Sequence, residues 1–92
     1  MKYGDIEGKE VIGKEARKLG KVCEIELDTK DWKVTDFCLN VDQDAAVDLG
    51  LSKSRLGSVK VLLPTSMIHA ISDRIILKET IDEVKKKLKL LP

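Results

Sequence analysis

Aromatic side chains are almost missing: Tyr3, Trp32 and Phe37 are the only three among 92 residues. A hydrophobic fraction of 42% must then consist chiefly of valine, isoleucine and leucine, and a core of that kind favours strands. Histidine occurs once, at position 69, and cysteine twice, at 23 and 38. Two cysteines so far apart lack the close spacing of a zinc knuckle. No apolar run approaches the roughly 20 residues that cross a bilayer, and no basic stretch leading into an apolar one stands at Met1. A cytoplasmic protein is therefore expected. Charge of one sign is not in excess either. Seventeen basic and sixteen acidic side chains leave +1, which gives no broad positive field for holding nucleic acid.

Charge itself is abundant, at 36% of the chain against a usual quarter, so the surface is expected to carry many ion pairs. It is also segregated. Residues 1–50 carry 12 acidic and 8 basic side chains, whereas residues 51–92 carry 4 and 9, so the two parts can attract one another within a molecule or between copies. A single domain of this size buries only about 60 to 65% of its surface. Its core must be compact, or be completed by a second subunit.

Period-two alternation carries the fold. Gly20-Lys21-Val22 leads into Cys23, Ile25 and Leu27, and after Asp28 to Trp32 a second alternation runs through Thr35, Phe37, Leu39 and Val41. Side chains two apart share one face of a strand, so residues 21–28 and 33–41 are read as a hairpin. Its connection, Asp28-Thr29-Lys30-Asp31, has Asx-turn chemistry, and Glu15 to Leu19 reads as a strand leading into a tight turn for which Gly20 would supply the positive φ. Ile6 and Val11-Ile12 read as edge or first-strand residues. Val59, Val61 and Leu63 restore the alternation until Pro64, Met67-Ile68 and Ala70-Ile71 form a short apolar stretch, and Ile75-Ile76-Leu77 reads as a last strand. Residues 42–57 fit either a helical turn ended by Gly50 or a loop.

Thr80 changes the period. Thr80-Ile81-Asp82-Glu83 has the pattern of a capping box, and Ile81, Val84, Leu88 and Leu91 then fall on one stripe of a helix of about ten residues. Alone such a helix is unstable. Its stripe must dock on its own barrel, on a second copy or on a partner.

The chemistry-bearing residues do not assemble a catalytic pattern. His69, between Ile68 and Ala70, has no cysteine or aspartate near it in sequence and is read as structural. Cys23 and Cys38 are read as strand cysteines. If Ile25 and Leu27 share a face with Phe37 and Leu39, the two thiols point to opposite sides and a one-residue slip would be needed to join them, so no disulfide is expected. Asp42, Asp44 and Asp48 suggest calcium, but an EF-hand loop beginning at Asp42 needs glycine and glutamate where Val47 and Lys53 stand. No glycine-rich loop precedes a Lys-Ser or Lys-Thr pair. Trp32 is the exception, because a large ring at a hairpin turn must either cover the barrel's own end or serve as an interface anchor. Lys85, Lys86, Lys87 and Lys89 read as a solvated helix face; without an aromatic anchor beside them, no direct membrane insertion is expected.

At Gly13-Lys14, Gly20-Lys21-Val22, Ile25-Glu26-Leu27-Asp28, the strand Val34 to Val41, Val61-Leu62-Leu63-Pro64, Met67-Ile68 and Asp73-Arg74-Ile75-Ile76-Leu77, the chain resembles the PRC-barrel family over roughly residues 9–78. That resemblance implies an all-β fold: a small six-stranded PRC-type β-barrel with a short C-terminal α-helix, residues 1–79 forming the barrel domain and 80–92 a helix packed on the barrel or on a dimer. With the hairpin Asp28 to Thr35 and the capped helix, the chain looks most like the stand-alone archaeal group, members of which are linked to cell division and associate with SepF, the protein that tethers the FtsZ ring to the membrane. The function so implied is a non-enzymatic adaptor at the division site, without cofactor, metal or nucleic acid, acting as a homodimer or as a heterodimer with a paralogue. Candidate contact residues are Trp32, Ile81, Val84 and Leu88. The alternative is a ribosome-maturation accessory factor of RimM type, which the missing companion domain and the near-zero net charge disfavour.

Overall fold

The computed structural model describes residues 2–42, 44–45 and 59–90. A single helical turn, α1 (Tyr3–Ile6), precedes β1 (Glu10–Ile12), β2 (Lys18–Asp28) and β3 (Lys33–Val41); β4 (Val59–Pro64) runs through a 3-10 turn, Thr65–Met67, into β5 (Ile68–Ile71) and β6 (Ile75–Leu77), and a second helical turn, α2 (Ile81–Val84), leads to β7 (Lys89–Leu90). The strands form one sheet in the order β5-β6-β1-β2-β3-β4-β7. All neighbours are antiparallel except β1 and β6, which pair in parallel with Val11 opposite Ile75. The expected all-β architecture is therefore present. Strands β1 to β6 curl into a half-barrel, a short helix lies near the C-terminus, and the two-residue β7 extends the sheet beside β4.

The concave face holds the core. Val11, Leu19, Val22, Phe37, Leu39, Val61, Leu63, Ile75 and Leu77 are all buried, and their spacing on β3, β4 and β6 is the period two of strands that bury one face, although on β3 Cys38, between Phe37 and Leu39, is buried as well. Ile81 and Val84, three residues apart on α2, are each 0% exposed and belong to the same cluster. Two glycines permit this closure. A Cβ at Gly20, opposite Val41, would collide with the backbone carbonyl of Asn40, and one at Gly13 would crowd the Ile81 side chain and the Glu15 carboxylate.

Three features differ from the reading of the sequence. Gly20 lies within β2, which runs on unbroken from Lys18, so no turn forms there; residues 14–16, overlapping the start of the segment read as a strand, make the turn instead, with Ala16 at φ 66°. Glycine at position 20 is needed for close approach and not for a left-handed backbone. Ile6 belongs to a helical turn and not to a strand. The C-terminal helix is one turn long and not ten residues, because Ile81 and Val84 already fill the end of the core and the backbone at Lys89–Leu90 is drawn into pairing with Val61 and Leu62. Leu91, the last residue of the expected stripe, and positions 43 and 46–58, most of the segment read as a helical turn or loop, lie outside the described residues.

The capping box at α2 is formed. Thr80 N donates to Glu83 Oε1 at 3.0 Å, and the Thr80 hydroxyl accepts from Glu83 N at 3.3 Å. The Glu15 carboxylate, arriving from the β1–β2 turn, accepts the Ile81 amide at 3.0 Å. Between them these groups satisfy donors that a helix start leaves free. The hydrogen bonds from Thr80 hold the Glu83 carboxyl below its ordinary value, so its contribution to stability is complete above about pH 4.5 and is lost as the pH falls through the lowered folded value. Urea denaturation of Glu83→Gln against the parent is therefore expected to show a shallower loss of stability between about pH 6 and pH 3, and Thr80→Ala is expected to cost about 1 kcal/mol at neutral pH.

The two glycine environments make a second comparison. Gly20→Ala should lose about 1 to 3 kcal/mol to the forced separation of β2 from β3, whereas Gly4→Ala, in α1 and with open space around its Cβ, should be neutral or gain up to about 1 kcal/mol. Thermal melts of the two variants measure the difference.

Candidate protein-interaction surface

The turn joining β2 to β3 is built by local chemistry. Asp28 Oδ1 accepts the Lys30 amide at 2.8 Å, the Asx turn that its position in the sequence suggests. The chain then re-enters β3 through Trp32 at φ 56°. A left-handed backbone costs a residue with a Cβ roughly 1–2 kcal/mol, and glycine or asparagine is the ordinary occupant. Here the occupant is the only tryptophan, and it is 74% exposed. Of the two alternatives open for this ring, covering the barrel end is thereby set aside.

Leu27, beside the same turn, is 43% exposed. The ladder is irregular here: Glu26 pairs with Asp36 and Leu27 with Val34, so Thr35 is an extra residue on β3. Alternation puts Leu27 on the same face as Ile25, but only Ile25 packs against the core; Leu27, one pair from the hairpin turn, is exposed. Leu27 is for that reason the surface residue that the sequence does not reveal.

The other residues expected to meet a partner are placed differently. Ile81 and Val84 have no exposed surface and are committed to the chain's own core, while Leu88 is half-buried against it. The apolar stripe found its dock within the molecule, as the demand for burial of so small a core requires. Ile81 and Val84 therefore offer no surface that a partner bound at Trp32 could share.

The ionisable groups are dispersed over the surface. An open cleft of about 640 Å³ between the start of β1 and the β5–β6 turn is lined by Glu7, Lys9, Glu10, Asp73 and Arg74 among others, and Lys9 Nζ donates to the Ser72 carbonyl across it at 2.5 Å. Acids and bases alternate there, so the cleft presents neither an anion site nor a cation site. His69 is exposed and lines a separate shallow depression with Lys14 and Lys78. Among the described residues no three of histidine, cysteine, aspartate and glutamate gather as metal ligands, and no helix is long and apolar enough to cross a membrane. Asp48, one of the three aspartates weighed as calcium ligands, lies outside the described residues. The Tyr3 hydroxyl, raised above its ordinary pKa by desolvation and then by Glu7, donates to the Cys23 carbonyl at 3.0 Å and ties α1 to β2.

A curled six-stranded half-barrel, with its core closed by a capped helical turn, is the architecture implied by the distributed motifs. A profile of the PRC-barrel domain matches residues 1–84. The chain belongs to the PRC-barrel family. The match runs through β1 to β6 and ends at Val84, the last residue of α2. The PRC barrel is a small binding-type domain and not a known enzyme fold. No curated protein matches the chain.

An exposed ring on a strained backbone contributes little to the stability of this PRC barrel. Trp32→Gly should leave stability unchanged or raise it by up to about 1 kcal/mol, the relief of left-handed strain outweighing glycine's greater freedom when unfolded. Leu39→Ala, in the core, should lose about 2 to 5 kcal/mol. Chemical denaturation of both variants measures the contrast, and a large loss at Trp32 would show that the ring packs on the barrel after all.

Proposed function

We propose that this PRC-barrel protein is a non-enzymatic, protein-binding adaptor and that Trp32 anchors its partner. The observation that carries this reading is the conjunction at the β2–β3 turn: the largest side chain of the protein stands 74% exposed on a backbone that favours glycine. Conformational strain that brings no packing in return is a mark of functional positions, and tryptophan is the residue most enriched among interface anchors. Leu27 adds apolar area at the same end of the hairpin.

The partner we propose is a SepF-type protein of archaeal cell division, met at the FtsZ ring. The support for this is the likeness of the hairpin Asp28 to Thr35 and the neighbouring motifs to the stand-alone archaeal group. The protein would work in the cytoplasm at the division site, without inserting into the membrane and without a cofactor. Self-association, as a homodimer or with a paralogue, fits a sheet whose order ends at β5 and β7, since an end strand offers backbone groups for pairing. It also fits the acidic front and basic back of the chain.

Binding of the purified protein to purified SepF at low salt, followed by biolayer interferometry, tests the reading. The parent is expected to bind, and Trp32→Ala to lose at least about 30-fold in affinity, the loss typical of an interface anchor. Absence of binding by the parent would refute SepF as partner. Equal binding by parent and variant would refute Trp32 as anchor. Sedimentation of the protein alone tests the dimer.

A further inference from the structure

Strand alternation keeps Cys23 and Cys38 on opposite faces, but the ladder does not alternate regularly at that point. Val22 pairs with Leu39 and Glu24 with Cys38, so Cys23 is the extra residue of a β-bulge in β2. The bulge supplies the one-residue shift that two regular strands would lack. Val22 and Ile25 both stay opposite core residues of β3, Leu39 and Phe37, while Cys23 turns toward Cys38. The two Sγ atoms lie 3.3 Å apart, and both cysteines are free thiols.

We propose that Cys23 and Cys38 are a site of reversible oxidation, at which a small hydroperoxide closes the pair into an intramolecular disulfide. The two thiols have different access. Cys23 is half-buried and Cys38 is buried, so an oxidant reaches Cys23 first. Burial, and then the contact with Cys23, pushes the Cys38 thiol up to about 11, with Glu24 adding to the rise and Lys60 opposing it. Cys38 therefore keeps its proton and is a poor first nucleophile.

In the first step the Cys23 thiolate attacks one peroxide oxygen. The O–O bond breaks, the departing oxygen takes a proton and leaves as water from hydrogen peroxide or as an alcohol from an alkyl hydroperoxide, and Cys23 becomes a sulfenic acid. In the second step the Cys38 sulfur attacks the Cys23 sulfur, the S–S bond forms, and the sulfenic oxygen leaves as water with the Cys38 proton. Two thiols have given up two electrons and two protons to one peroxide. The sulfurs must approach to about 2.05 Å, a movement within reach of side-chain rotation because the bulge has already set them on one side.

Treating the reduced full chain with a slight excess of hydrogen peroxide tests the site. The expected product is a monomer lighter by about 2 Da, the mass of two hydrogens lost on disulfide formation, with a Cys23–Cys38 peptide in a non-reducing digest and full reversal by dithiothreitol. Cys38→Ser is expected to stop at a Cys23 sulfenic acid that dimedone traps. Cys23→Ser should leave Cys38 at least about tenfold slower to react, as a buried thiol of raised pKa must be. Disulfide-linked dimers, stepwise gain of oxygen by the parent without loss of hydrogen, or equal reactivity of the two single variants would overturn the proposal.

Discussion

The antiparallel ladder between β2 and β3 is the constraint on which the rest of this protein depends. It is the longest pairing in the sheet, from Gly20 opposite Val41 to Asp28 opposite Lys33, and it holds the two strands close enough that position 20 excludes any side chain. Three consequences follow from its register. Phe37 and Leu39 face the core, Trp32 is carried to an exposed turn, and the bulge at Cys23 turns one thiol toward the other. A regular ladder of the same strands would still have a core. It would not have the thiol pair.

At the opposite end of the chain the decisive interaction is the capping of α2. A helix of four residues has no stability of its own, and it exists because Thr80, Glu83 and Glu15 satisfy its first amides while Ile81 and Val84 enter the core. Glu15 comes from the β1–β2 turn, 66 residues away in sequence, so the cap also fastens the end of the chain to its beginning. Ile81 and Val84, expected to meet a partner, are consumed in this closure. A small domain with three aromatic residues has little apolar area to spare, and burial within the molecule takes precedence over contact outside it.

Much of the architecture was legible as periodicity. The alternation at Phe37, Leu39 and Val41, at Val59, Val61 and Leu63, and at Ile75 to Leu77 corresponds to β3, β4 and β6 with little change of boundary, and Thr80 with Glu83 marked the helix start. What could not be read was wherever one residue more or less decides the face. The bulge at Cys23 leaves composition and hydropathy unchanged, yet it turns Cys23 toward Cys38. The length of the last helix was obscured in the same way, because a stripe of Ile81, Val84 and Leu88 is equally compatible with one turn and with three. Of the contact residues anticipated, only Trp32 proved exposed, since its place at a turn follows from local chemistry alone.

By itself the amino-acid order determined which segments are strands, where the hairpin turns, and that the chain builds a PRC barrel, because those properties depend on residues within a few positions of one another. Tertiary structure alone decided that Gly20 is required by the approach of Asn40, that Glu15 caps a distant helix, that Ile81 and Val84 are spent in the core, and that two thiols 15 positions apart in the chain come within 3.3 Å. Each of these rests on the register between segments remote in sequence, and register is a property of the packed sheet that no local pattern encodes.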